Sequence, residues 1–161
     1  MTNELAAAEQ QYFTIRPAVS GDLPELARLF DDYRIFYQQA SNRAGAEVFV
    51  AEQLEKEITR FFIARDTAQA AALGFVHLIP SLGTLAMRPI WYLEDLFVVP
   101  SSRRHGVARA LMLRAEQFAR ENGAERLTLS TAHDNHAAQA LYRSLGYVRD
   151  EHFWQFHRTL S

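Results

Sequence analysis

The stretch Val99-Pro-Ser-Ser-Arg-Arg-His-Gly-Val-Ala-Arg109 constrains this chain more than any other, because it joins an apolar strand to an amphipathic helix through a basic, glycine-containing turn. At a helix start the first backbone N–H groups have no intrahelical acceptor and the macrodipole is positive, so a phosphate fits there. Gly106 and Ala108 leave the amides uncovered, and Arg103, Arg104 and Arg109 add positive charge. Read alone, the same residues also suit an ordinary strand-to-helix connection with a solvated basic turn. Two competing motifs are absent: no Lys-Ser or Lys-Thr follows the glycine as a mononucleotide P-loop requires, and the glycine spacing of a Rossmann turn is missing.

Periodicity orders the rest of the chain around this turn. Residues 12–16 alternate as a strand that Pro17 ends, and Asp22 with Glu25 makes a capping-box-like start for a helix carrying Leu26, Leu29, Phe30, Tyr33 and Tyr37. A second helix is expected over about 47–59, then strands over 61–65, 72–79 and 90–99, with 80–89 as a loop. The helix after the turn, about 104–122, carries Ala108, Leu111, Met112, Ala115 and Phe118 on one face and stops at Asn122-Gly123. A strand at 126–131 follows. Asn135 or Asp134 then caps a short helix with Ala138, Leu141, Tyr142 and Leu145, closed by Gly146, and residues 147–148 and 153–158 read as final strands. The order predicts an α/β (α+β) fold, a mixed sheet flanked by helices.

With 161 residues, of which 48% are hydrophobic, the chain suits one domain, expected over 12–161 after a polar, alanine-rich lead-in at 1–11. A net charge of −2, with the arginines gathered at the turn, argues against a nucleic-acid partner. Cysteine is absent, which removes disulfides, a thiol nucleophile and cysteine metal ligands. No run is apolar enough to span a bilayer and the amino terminus lacks the pattern of a secretion signal, so a cytoplasmic protein without a membrane partner is expected.

Arg103, Gly106 and Ala108 spell Arg-x-x-Gly-x-Ala, which resembles the pyrophosphate-binding signature of the GNAT superfamily of acetyl-CoA-dependent N-acetyltransferases. Asn135-His-Ala-Ala-Gln-Ala-Leu-Tyr-Arg-Ser-Leu-Gly-Tyr147 is similar to the second signature of that family, an Asn, a Leu-Tyr pair and a Gly-aromatic pair. Trp91-Tyr-Leu-Glu-Asp-Leu-Phe-Val98 is similar to the central strand of its diamine acetyltransferases. The resemblance covers nearly the whole chain and implies a mostly antiparallel sheet with a strand, phosphate-binding turn and helix at its centre. It further implies acetyl-CoA as cosubstrate, bound by the turn (Arg103, Arg104, His105, Gly106, Val107, Ala108, Arg109), by the backbone of Leu96, Phe97 and Val98 and by Asn135. A homodimer is suggested on the same ground.

An alkylamine has a pKa near ~10.4 and must lose a proton before it can attack a thioester, so a general base is needed, directly or through water. Glu94 and Asp95 sit side by side in an apolar strand, where neighbouring side chains point to opposite faces. Asp95 is expected to be buried against an arginine or a backbone amide. Glu94 is expected to be the base, as the matching glutamate is proposed to be in the diamine acetyltransferases. Tyr142 falls in an apolar helix stripe, which suits core packing, while the resemblance gives its hydroxyl the task of assisting thiolate departure. Asn135 is equally a helix cap.

Tyr33, Phe36, Tyr37, Trp91 and Tyr92 could wall an acceptor pocket with Glu94, since aromatic faces hold an amine or ammonium, although core packing suits most of them too. Glu47, Glu52, Glu55 and Glu57 fit either an acidic groove or a solvated helix face. His133 and His136 lack a third convergent ligand, no metal is expected, and the remaining histidines are scattered. The expected function is acetyl transfer from acetyl-CoA to a primary amine on a small molecule or a protein lysine. The alternatives are an enzyme using another acyl-CoA and a non-catalytic acyl-CoA sensor. Which amine serves as acceptor is not written in the sequence.

Overall fold

The computed structural model describes residues 12–160. These divide after Ser130 into two compact units. The larger is built on a five-stranded sheet of order β1-β2-β3-β4-β5, with β1 at Phe13–Pro17, β2 at Arg60–Asp66, β3 at Ala72–Gly83, β4 at Arg88–Val98 and β5 at Leu127–Leu129. The first four strands pair antiparallel and β5 joins β4 in parallel.

Helices α1 (Leu23–Phe36) and α2 (Arg43–Lys56) cover one face, and α3 (Val107–Glu121) covers the other. Leu26, Leu29, Val50, Phe61, Ile63, Phe75 and Phe97 form the core under α1 and α2. Each of the larger side chains gains about 2–3 kcal/mol by leaving water. On the opposite face Phe118 of α3 meets Phe62 at 5.5 Å and Trp91 at 5.0 Å between ring centroids, and Leu111, Met112 and Ala115 are fully buried. Phe61 and Phe62, neighbours in β2, thus enter different cores, as the period of two requires.

Both ends of α1 are tied by carboxylates. Asp22, expected to cap the helix, instead accepts from both terminal guanidinium nitrogens of Arg16 at 2.7 Å, from Arg65 at 2.8 Å and from the Val19 N–H at 2.8 Å. The Arg16 hydrogen bonds, with those from Val19 and Arg65, hold its carboxyl well below the ordinary carboxylate range against the opposing effect of burial. Near the other end Asp31 accepts from the Ser41 hydroxyl (2.6 Å) and the Asn42 N–H (2.8 Å), which anchors the connection to α2. Residues 41–45, read as a break, include the cap itself: Asn42 accepts from the Gly45 N–H at 2.9 Å.

The second unit carries α4 (His136–Ser144), capped by Asn135, whose side chain accepts from the Ala138 N–H at 3.2 Å. Beyond it the expected strands at 147–148 and 153–158 do not form, and residues 147–160 hold no regular secondary structure. Their alternating aromatics have no strand partner among the described residues, and Phe153, Trp154 and Phe156 are exposed. Alternation makes a strand only where a ladder can satisfy the backbone. The expected lead-in at 1–11 lies outside the described residues.

Candidate active site

Strand β4, which carries the candidate acidic residues, has one irregularity. Leu93 pairs with Leu78 and Asp95 with His77, which leaves Glu94 as an extra residue opposite none. Counting from Trp91, which packs on α3, strict alternation would turn Asp95 and Phe97 toward α3 as well. The bulge turns them instead toward α1, where Phe97 meets Tyr33 at 6.4 Å and Phe75 at 6.5 Å. The Tyr33 hydroxyl feels chiefly the charge of Asp95 and, less, that of Glu94. Burial, the nearby Asp95 carboxylate, and the charges of Tyr37 and Glu94 raise the Tyr33 phenol well above its ordinary range.

The two carboxylates differ in environment. Glu94 is exposed, whereas Asp95 is 8% exposed. Asp95 meets neither an arginine nor a backbone amide as expected; it lies 2.9 Å from Nδ1 of His77. His77, read from sequence as one scattered histidine, is the site residue that pattern reading missed. Its signal was a lone polar residue in the apolar run of β3, which calls for a buried partner.

The proposed acceptor aromatics are placed unequally. Tyr37 is 40% exposed and edge-on to Tyr33 at 5.2 Å, and Phe36 is half exposed. Tyr92 is partly buried. Trp91 is buried edge-on against Phe118, on the face away from Tyr33.

At the carboxyl end of β4 the chain makes a short 3-10 turn at Pro100–Ser102 and then the basic turn. Arg104 (φ 67°) and Gly106 (φ 82°) are both left-handed, a change of hand that lets successive N–H groups face one anion. Gly106 is the N-cap of α3 and supplies no side chain to cap it, so the N–H groups of Val107 and Ala108 have no intrahelical acceptor. Arg104, His105 and Arg109 are exposed around them. Arg103 is committed elsewhere: its Nε donates to the Val98 carbonyl at 3.0 Å, and its guanidinium lies 5.5 Å from the Phe36 ring and 5.8 Å from that of Phe97. It joins the turn to β4 and to the end of α1.

Pairing of β4 with β5 ends at Leu93 opposite Leu129, while β4 continues to Val98. Leu96, Phe97 and Val98 therefore run on without β5 beside them. In the second unit Tyr142 is partly buried, its ring 6.1 Å from that of Tyr147. Among the described residues no helix is long and apolar enough to cross a membrane.

Residues 26–147 match the acetyltransferase (GNAT) family. An uncharacterized N-acetyltransferase of Bacillus subtilis is 40% identical over 139 residues, which span 86% of this chain and 92% of that protein. The crystal structure of a probable acetyltransferase superposes with a TM-score of 0.87 at 34% identity, covering 92% of this chain and 98% of that one. An aminoglycoside N-acetyltransferase in complex with CoA shares the fold, with a TM-score of 0.78 at 22% identity over 92% of this chain and 95% of its own. The mixed sheet, the turn that opens α3 and these likenesses together make the chain a member of the GNAT acetyltransferase family, an acyltransferase whose cosubstrate is an acyl-CoA.

Proposed function

We propose that the protein transfers the acetyl group of acetyl-CoA directly to a primary amine, and that residues 12–161 act as one acetyltransferase domain. The family match across 26–147, which spans both compact units, supports the second part. The observation that carries the first is the β4 bulge, which presents exposed Glu94 on the same strand that leads into the anion-binding turn.

The N–H groups at the start of α3, with Arg104 and Arg109 near them, hold the pyrophosphate. The margin of β4 at Leu96 to Val98, beyond the reach of β5 and with the Val98 carbonyl already held by Arg103, offers its other backbone groups to the amide-rich pantetheine arm as an added strand would use them, and Asn135 contributes a further hydrogen bond. Glu94 takes a proton from the ammonium form of the acceptor, directly or through water. The freed nitrogen lone pair attacks the thioester carbonyl carbon and forms the tetrahedral intermediate. As the carbonyl re-forms, the nitrogen gives up its second proton to solvent, the carbon–sulfur bond breaks and coenzyme A leaves as a thiolate that accepts a hydrogen bond from the Tyr142 hydroxyl and is protonated from solvent. Tyr33 and Tyr37 flank the acceptor. Acceptors of the aminoglycoside kind, as used by the CoA-bound relative, are amines and fit this chemistry.

The test is a screen of alkylamines, amino acids, aminoglycosides and lysine peptides with acetyl-CoA, reading free thiol release and the acetylated product by mass. Acetyl-CoA supporting faster turnover of an amine than longer acyl-CoAs is the expected result. Binding of acetyl-CoA without transfer to any amine would favour a sensor and overturn the proposal.

A further inference from the structure

His77 is 1% exposed and stacked flat on Phe61, with centroids 3.9 Å and planes 2° apart, while Phe49 of α2 stands edge-on at 6.5 Å. An apolar residue would fill this slot without stranding a polar atom, yet Nε2 of His77 is buried with no hydrogen-bond partner. Burying such a group costs stability, so the ring's other nitrogen is the place to look for compensation. Nδ1 lies 2.9 Å from Oδ2 of Asp95. A carboxylate oxygen only accepts, so with its hydrogen on Nδ1 the imidazole donates to Asp95.

Asp95 is held by His77 of β3, and its charge is felt by the Tyr33 phenol of α1. No lysine or arginine among the described residues forms an ion pair with it. Its side chain keeps 11% of its surface open, and the bulge sets it beside Glu94. A buried carboxylate fixed by the imidazole donor, without a basic residue against it, attracts a cation strongly.

We infer that His77 is a positioning residue for the acceptor: it fixes the Asp95 carboxylate as the stationary negative charge that orients the acceptor's ammonium group beside Glu94. This rests on the proposed amine acetylation and names the charge the acceptor must carry. His77 does not touch the acceptor. It acts only through Asp95, which makes the inference separable from simple packing.

The experiment compares an alkylamine, protonated at neutral pH, with an aromatic amine that is uncharged there. The variants are His77→Phe, His77→Asn, Asp95→Asn and the double variant of His77→Phe with Asp95→Asn. Phenylalanine keeps the ring and loses the donor, whereas the amide nitrogen of asparagine can replace Nδ1. In His77→Phe the KM for the alkylamine should rise about tenfold with that for the aromatic amine changed less than about twofold, and His77→Asn should restore most of the loss. The double variant should be no worse than Asp95→Asn alone. Equal change in both KM values, or no rescue by a folded His77→Asn, would overturn the inference. If His77→Phe fails to fold, Asp95→Asn must still raise the alkylamine KM selectively, or the inference fails. Should the wild type acetylate neither amine, the proposed function falls, and calorimetry of the alkylammonium with coenzyme A present then decides about His77. Affinity weakened about tenfold in His77→Phe supports its role, and unchanged affinity removes it.

Discussion

At its carboxyl end β4 runs into a turn that offers main-chain N–H groups, whereas at the bulge the same strand presents side chains, exposed Glu94 and buried Asp95. The turn needs backbone of one particular hand, and nearly any side chain tolerant of it will serve. The bulge needs particular functional groups aimed by a strand register. On the proposed function, one strand keeps recognition of a large, invariant cosubstrate apart from chemistry on the acceptor, and side-chain change at the bulge should alter the acceptor without disturbing the acyl-CoA site.

The division is open to attack by substitution at each end. Glu94→Gln keeps size and hydrogen bonding and removes the base; steady-state kinetics should show kcat lowered roughly 10²-fold. Tyr142→Phe, which keeps the ring, should lower kcat by roughly 30-fold through loss of a hydrogen bond to developing charge on sulfur. Thermal melting and acetyl-CoA binding should be unchanged in that variant. Gly106→Val acts at the other end: open space surrounds the position, but φ of 82° strains any side chain and a β-branched one most. Calorimetry should give acetyl-CoA affinity weakened about tenfold as the turn shifts to relieve that strain. The smallest effect is expected from Arg103→Leu, whose lost stacking and hydrogen bond to Val98 should cost about 1 kcal/mol in denaturant unfolding. Acetyl-CoA affinity should fall less than about threefold there, since the guanidinium serves the fold.

The same contrast explains what was legible before folding. A site made of backbone needs local residues that permit its geometry, and Gly106 with the stripe Leu111, Met112 and Ala115 announces the turn and its helix within a short span of sequence. The bulge has no local mark. Residues 93–95 contain neither glycine nor proline, and the extra residue exists only in relation to Leu78 and His77 on another strand. The register therefore decided which way Asp95 faced, and with it the partnership of His77 and Tyr33. A related limit applies at residues 153–158, where Phe153 and Phe156 have strand-forming character but no ladder among the described residues. Asp22 shows a third kind of nonlocality. It stands where a helix cap should, but Arg16 and Arg65, brought beside it by the pairing of β1 with β2, outcompete the helix N–H groups for its oxygens.

The central claim, that β4 binds the cosubstrate at one end and performs chemistry at the other, is tested most directly by one crossed measurement. Acetyl-CoA affinity by calorimetry and turnover at saturating acetyl-CoA are determined side by side for Glu94→Gln and Gly106→Val. The account predicts a crossing: unchanged affinity with kcat lost in Glu94→Gln, and weakened affinity with kcat largely retained in Gly106→Val. Full turnover in Glu94→Gln, or acetyl-CoA affinity lost equally in both variants, would contradict it.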